Sequence, residues 1–206
     1  MKKNKFGGFV QMSSIRVSSE QIKQGNIYEA AIPFSDGRPL TFFEADPKLG
    51  ENIGRAVKKD HGFEPEYDKE TRTNKARIVS VIVKHKTRLC VVLQNDLFNE
   101  NENYDHVYVA PIATIHPREE KTELIERLKE KNDIPQLHYI DSHTGRPAYV
   151  NIGDIKRIHK SLILKTTSHS PLSSKAMRDI SQKIQKLMGV NENSERIGRI
   201  NTKKPE

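Results

Sequence analysis

Apolar positions in this chain come mostly in short runs with the two-residue period of strands. Asn26–Phe34, NIYEAAIPF, predicts a strand opened by Gly25, and Pro33 puts it at an edge or a strand end. SDGRP (Ser35–Pro39) is turn chemistry. Ala76–Lys84, ARIVSVIVK, and Arg88–Asn95 predict two more strands, joined as a hairpin by a turn at His85–Thr87. A loop at Asn99–Asp105 leads to a strand at Val107–Ile112, where Pro111 predicts a bend or an edge. Shorter strands are expected at Leu137–Ile140, Ala148–Asp154, Ile155–His159 and Leu162–Leu164. Helical spacing occurs twice. Arg118–Asn132 has acids early, bases late and a narrow stripe of Leu124, Ile125 and Leu128. Ser173–Met188 opens on a capping serine, repeats Met177, Ile180, Ile184, Leu187 and Met188, and stops at Gly189.

The polar stretches between these elements set the expected domain plan. Residues 1–24 read as a flexible arm, 25–189 as one domain with charged insertions at 40–74 and 117–147, and 190–206 as a disordered basic tail. The 40–74 insertion is expected to hold at most a short helix near Ile53–Lys59. It is either a solvated loop or one that closes over a substrate or partner.

Composition adds a modest core and an anionic partner. Apolar residues make up 34% of the 206, charged residues 30%, and Trp is absent. A formal charge of +8 favours polyanions, with much of the excess in Met1–Lys5 and Arg196–Lys204. No run reaches the ~20 apolar residues of a membrane span, and no signal peptide is visible, so a cytoplasmic protein is expected. Cys90, the one cysteine, sits in an apolar run as a small hydrophobe. The histidines lack metal-ligand spacing and no Gly-rich phosphate loop occurs, so neither a metal nor a cofactor is expected.

The most informative stretch is Lys86–Thr114. Its first apolar run opens on Arg88; its second ends at Ala113 and Thr114, with His116 just beyond. A cation at one strand edge with a hydroxyl and an imidazole at another suits a phosphate-handling site. Lys84, His85, Lys86 and Arg88 form a basic cluster suited to RNA backbone contacts or to a solvated hairpin tip.

GNIYEAAIPF (25–34), RLCVVLQNDLFN (88–99), VYVAPI (107–112), VNIGDIKRIHKSLI (150–163) and LSSKAMRDISQKIQKLMG (172–189) occur in an order that resembles the MazF/PemK family. These are toxins of bacterial type II toxin–antitoxin modules. The resemblance implies a mainly β fold with α: a small SH3-like barrel, shared with CcdB, carrying a C-terminal helix. It implies a metal-independent endoribonuclease cutting single-stranded mRNA, a homodimer, and a cognate antitoxin laid as an extended peptide over the RNA groove. Arg88 falls on the family's arginine, which offsets charge in the transition state. The family's threonine falls on Ala113, with Thr114 beside it. An aspartate used by one member falls on Gly153, with Asp154 beside it.

Metal-free RNA cleavage needs a base for the 2′-hydroxyl, an acid for the leaving 5′-oxygen and a cation for the phosphate. The candidates are Arg88 as cation, His116 or His85 for proton transfer, and Asp154 or Thr114 for orientation. Lys84, His85, Lys86 and Arg157 are candidates for RNA contacts, Arg157 alternatively for a dimer contact. A histidine in a turn is by default a solvated or capping residue, and His159 and Lys160 suit a structural role. The departures at 113 and 153 also fit a non-catalytic member that binds RNA or a protein target.

Overall fold

A computed structural model of the protein describes residues 17–34, 37–141 and 146–190. Most of the expected arm (1–16) and nearly all of the expected tail (191–206) lie outside them. The strands are, in chain order, β1 (Ile27–Phe34), β2 (Leu40–Asp46), β3 (Gly50–Lys59), β4 (Glu66–Asp68), β5 (Thr73–Lys75), β6 (Ser80–Val81), β7 (Lys84–Val92), β8 (His106–Thr114), β9 (Leu137–Ile140), β10 (Ala148–Asn151), β11 (Lys156–His159) and β12 (Ile163–Thr166). Three helices accompany them: α1 (Asp96–Asn99), α2 (Glu123–Lys131) and α3 (Ser174–Leu187). The fold is mainly β with α and carries a C-terminal helix. The chain divides into two compact units, residues 1–31 with 87–206, and 32–86.

The larger unit is built on a sheet in the order β12-β1-β7-β8-β10-β9, with β11 also on β8. Strand β8 is its spine. On one edge it pairs with β7, Val91 opposite Ala110. On the other edge β10 holds Ile112–Thr114 and β11 holds His106–Val109. Ala110 and Pro111 therefore fall between the two partners. Leu93 N–H donates to the Tyr108 carbonyl, so by alternation Pro111 turns its missing N–H toward the β10/β11 edge. A proline is tolerated in a central strand because the partner breaks there. The chain loops out at this gap as a 3-10 turn, Ile152–Asp154.

One face of the β7–β8 pair carries Val91, Ala110 and Ile112, which pack with Ile140, Val150, Leu172 and Ile180. Helix α3 supplies the cover: Met177, Ile180 and Ile184 lie on this core, while Leu187 and Met188 are exposed beyond it. Ser173 caps the helix, its hydroxyl accepting from Ala176 N–H. Gly25 ties α3's lead-in to the sheet. Its N–H donates to Val92 and its carbonyl accepts from Leu172, at φ +79°, where any side chain is strained. The opposite face carries Cys90, Val92, Val107 and Val109, also buried. Cys90 is enclosed, and burial pushes its thiol up to about 12. Ahead of β1, Ser19–Gln21 forms a 3-10 turn and Ile22 is fully buried.

A second, smaller core joins Ile115, Ile125, Leu128 and Ile134. Helix α2 starts at Glu123, five residues later than expected, because Arg118–Lys121 form turns after Pro117. It ends on Asn132 in the left-handed region. Asn132 then organises a half-buried polar cluster. Its Nδ2 donates to His138 Nδ1 (3.2 Å) and its Oδ1 accepts from Tyr139 N–H and Lys183 Nζ, both at 3.0 Å. Lys183 also donates to the carbonyls of Ile134 and Leu137, fastening α3 to the α2–β9 connection. Burial, then the Lys183 charge, lowers the His138 imidazole to about 4.

The smaller unit departs most from expectation. Residues 40–74 hold no helix but a long hairpin, β2 with β3, and a short one, β4 with β5. The charged β3 hides its two-residue period because almost all of it is exposed, so pairing rather than burial defines it. Asp46 Oδ1 accepts from Lys48 N–H in the turn, and Gly50 follows at φ +98°. At Gly54 a Cβ would meet the Glu44 carbonyl oxygen at 2.0 Å, beside the irregularity between Ala45 and Asp46. The expected strand at 76–84 shrinks to Ser80–Val81, paired with β2. The expected turn at His85–Thr87 is also absent, because β7 runs unbroken from Lys84 to Val92.

A histidine held neutral by burial makes stability depend on pH. Its contribution is fully present above the unfolded value of about 6.5 and is lost as pH falls through about 4. Urea unfolding is expected to show stability declining by about 3 kcal/mol at most across that window. His138→Gln should flatten the decline.

Candidate active site

The β7–β8 register decides which candidate side chains share a face. Cys90 lies opposite Pro111. Arg88 lies two residues before Cys90 and Ala113 two after Pro111, so both sit on the Cys90 face. Thr114 belongs to the Ala110–Ile112 face, where it pairs with Ala148. The hydroxyl of Thr114 is thus turned to the other side of the sheet from the guanidinium. Ala113 pairs with Tyr149, whose half-buried ring packs on the second core. Arg88 is exposed, and no carboxylate of the described residues forms an ion pair with it.

His116 stands just past the end of β8, exposed, in a turn of its own making. Its N–H donates to Glu119 Oε2 (3.1 Å) and its carbonyl accepts from Glu119 N–H. Its Nδ1 accepts from Arg118 N–H (3.3 Å). Asp154 closes the 3-10 turn at the gap and pairs with Lys156 Nζ at 2.6 Å. Gly153 packs closely: a Cβ would lie 3.2 Å from Gln136 Cβ, and Gly153 N–H donates to the Gln136 carbonyl.

Arg157 lies on β11 opposite Tyr108, at the start of β8. Six residues of strand, roughly 20 Å at ~3.3 Å per residue, separate Tyr108 from Thr114. Arg157 lines a groove of about 720 Å³ with Phe98, Tyr104, His106 and Tyr108. Lys84, His85 and Lys86 are exposed and belong to the smaller unit, while Arg88 belongs to the larger. His85 Nδ1 lies 3.1 Å from the Val83 carbonyl.

The QND triplet is a clasp, a role its spacing did not signal. Gln94 Nε2 donates to the His106 carbonyl (3.2 Å). Asn95 caps α1 by accepting from Leu97 N–H (2.9 Å). Asp96 Oδ1 accepts from Gln24 N–H (2.5 Å). The same stretch buries Asn99, whose Nδ2 donates to the Gln94 carbonyl. Lys160, in the β11–β12 turn, is likewise structural: it is buried, with Nζ on the Asn101 carbonyl at 2.9 Å. His159 accepts from Ser161 N–H at Nδ1 and stacks edge-on to His106.

Among the described residues no group of three or more His, Cys, Asp or Glu is arranged to hold a metal ion, and no helix is long and apolar enough to cross a membrane.

A family model described as PemK-like, MazF-like toxin of type II toxin-antitoxin system matches residues 63–188, well over half of the chain. The match takes in β7, β8, β10, β11 and α3. The Gly25–Phe34 segment lies outside it. No curated protein matches the chain.

Replacing Asn95 with Ala removes the α1 cap and is expected to cost about 1 kcal/mol in urea unfolding.

Proposed function

The chain belongs to the PemK-like, MazF-like toxins of type II toxin–antitoxin systems, and from that membership we propose that it is an endoribonuclease that cuts single-stranded mRNA. The observation that carries the reading is Arg88, an exposed guanidinium in the middle of the central strand β7 with no ion pair to a described carboxylate. A planar cation of this kind takes two phosphate oxygens at once, and its charge counts most as the phosphate becomes pentacovalent. In the reaction the 2′-oxygen attacks the adjacent phosphorus and loses its proton to a base. The 5′-oxygen leaves and takes a proton from an acid. His116, exposed just past the end of β8, is the candidate for proton transfer in this reading, and the Asp154 carboxylate is the orienting group. Thr114 faces away from Arg88 and serves the strand rather than the chemistry. The protein works in the cytoplasm as a homodimer without a metal or cofactor, and a cognate antitoxin silences it.

One observation favours a second reading. Ala113 puts a methyl group where the family's threonine offers a hydroxyl on the Arg88 face. A member without that hydroxyl could act by binding RNA or a protein target, with no cleavage.

Purified protein incubated with a defined transcript in EDTA separates the two. The nuclease reading expects new 5′-hydroxyl ends and a loss of about 100-fold or more in Arg88→Ala. Cutting that persists in Arg88→Ala rejects the site; RNA retention with no new ends supports the second reading. Ala113→Thr returns a hydroxyl to the Arg88 face and is expected to raise cleavage by about tenfold or more, read as initial rate on the same transcript.

A further inference from the structure

The groove beside Arg157 lies apart from the candidate active site, within the same larger unit. Leu93 N–H donates to the Tyr108 carbonyl, and Arg88 precedes Leu93 by five residues, roughly 16 Å at ~3.3 Å per residue. The two also face opposite ways. Tyr108 falls on the Ala110–Ile112 face of the sheet, Arg88 on the Cys90 face. Arg157 pairs with Tyr108 across β11 and β8, so the two side chains are neighbours on one face.

Three aromatic rings line this groove of about 720 Å³ and stay open to solvent. Phe98 is 43% exposed, and Tyr104 and Tyr108 are each 48% exposed. Phe98 and Tyr104 meet edge-on, their centroids 5.2 Å apart. The loop that carries Tyr104 is fastened at several points. Tyr104 N–H donates to the Asn101 carbonyl, which also accepts from Lys160 Nζ at 2.9 Å. The Asp105 carbonyl accepts from Lys160 N–H at 2.7 Å. Aromatic rings fixed in a concave wall of this size are the usual lining of a small-molecule site.

The charges in the wall decide what fits. Of the lining residues only Arg157 and Asp105 carry a formal charge. Neither side chain has an ion pair or hydrogen bond among the described residues. The neighbouring acids are committed elsewhere: Glu100 pairs with Lys23, and Asp96 accepts from Gln24 N–H. An unpaired guanidinium takes two oxygens of a phosphate at once. An unpaired carboxylate can only accept, so it selects a base edge with adjacent N–H donors. Guanine offers its N1–H and 2-amino group side by side, whereas adenine has a lone pair at N1. Any flat base stacks on the aromatic rings. One guanidinium beside an acid suits a single phosphate and disfavours a continuous polyanion. We propose that this groove binds a free guanine nucleotide, with the base on the aromatic wall, its donor edge on Asp105 and its phosphate on Arg157. This goes beyond the ribonuclease reading and does not depend on it.

The test is isothermal titration of the full-length protein with GMP. Saturable binding is expected, about tenfold or more tighter than that of AMP or of guanosine. Asp105→Asn should erase the preference for GMP over AMP. Arg157→Ala should lower GMP affinity to that of guanosine. Both side chains are exposed, so both variants should keep the circular dichroism spectrum and thermal midpoint of the wild type. Absence of GMP binding overturns the proposal, as does equal affinity for AMP. A preference that survives Asp105→Asn, or a GMP affinity that Arg157→Ala leaves unchanged, overturns it too. A uridine hexamer carrying one internal guanosine separates a free nucleotide from a segment of RNA. It is expected to leave GMP binding unchanged. Displacement of GMP by the hexamer, at the affinity of GMP or better, would make the groove an RNA contact and equally refute the proposal.

Discussion

A proline in the central strand governs the larger unit. Pro111 has no N–H to give to the β10/β11 edge of β8, so no single strand can pair continuously along it. Two strands divide the edge instead, and the residues between them loop out as the 3-10 turn at Ile152–Asp154. That turn fixes Gly153 against Gln136 and sets Asp154 beside Lys156. The missing hydrogen bond thus positions the acidic candidate, while β7, on the other edge of β8, positions the arginine.

Around that spine the fold is held by a few specific polar contacts as well as by apolar packing. Helix α3 covers the sheet with Met177, Ile180 and Ile184, but Lys183, on the same helix, reaches three acceptors around Asn132. A half-buried ammonium is tolerated because each donor has a partner. The QND clasp does similar work at the far end of β7, joining Gln24, His106 and the head of α1.

The two units manage their sheets differently. In the larger one nearly every β7–β8 side chain between residues 90 and 110 has apolar neighbours. In the smaller one β3 is exposed along most of its length, and ion pairs such as Arg55–Glu44 decorate it. Exposed pairs of this kind contribute little, so the hairpin rests on main-chain pairing and on Phe42, which tilts against Phe63 at 5.3 Å.

Sequence alone determined much of the larger unit, because burial imposes a readable period on it. The runs at 107–112 and 137–140 and the stripe of α3 are apolar where they meet the core, and the order of these segments was enough to identify the family. It also singled out Arg88. Tertiary structure decided what burial does not record. The hairpin at 40–59 was hidden because its residues are polar on both faces, and the turn expected at 85–87 gave way to a continuous strand. The separation of Thr114 from Arg88 likewise came from pairing register, in which a shift of one residue reverses a side chain's face. Composition carries the hydrophobic period; only the partner strand carries the register.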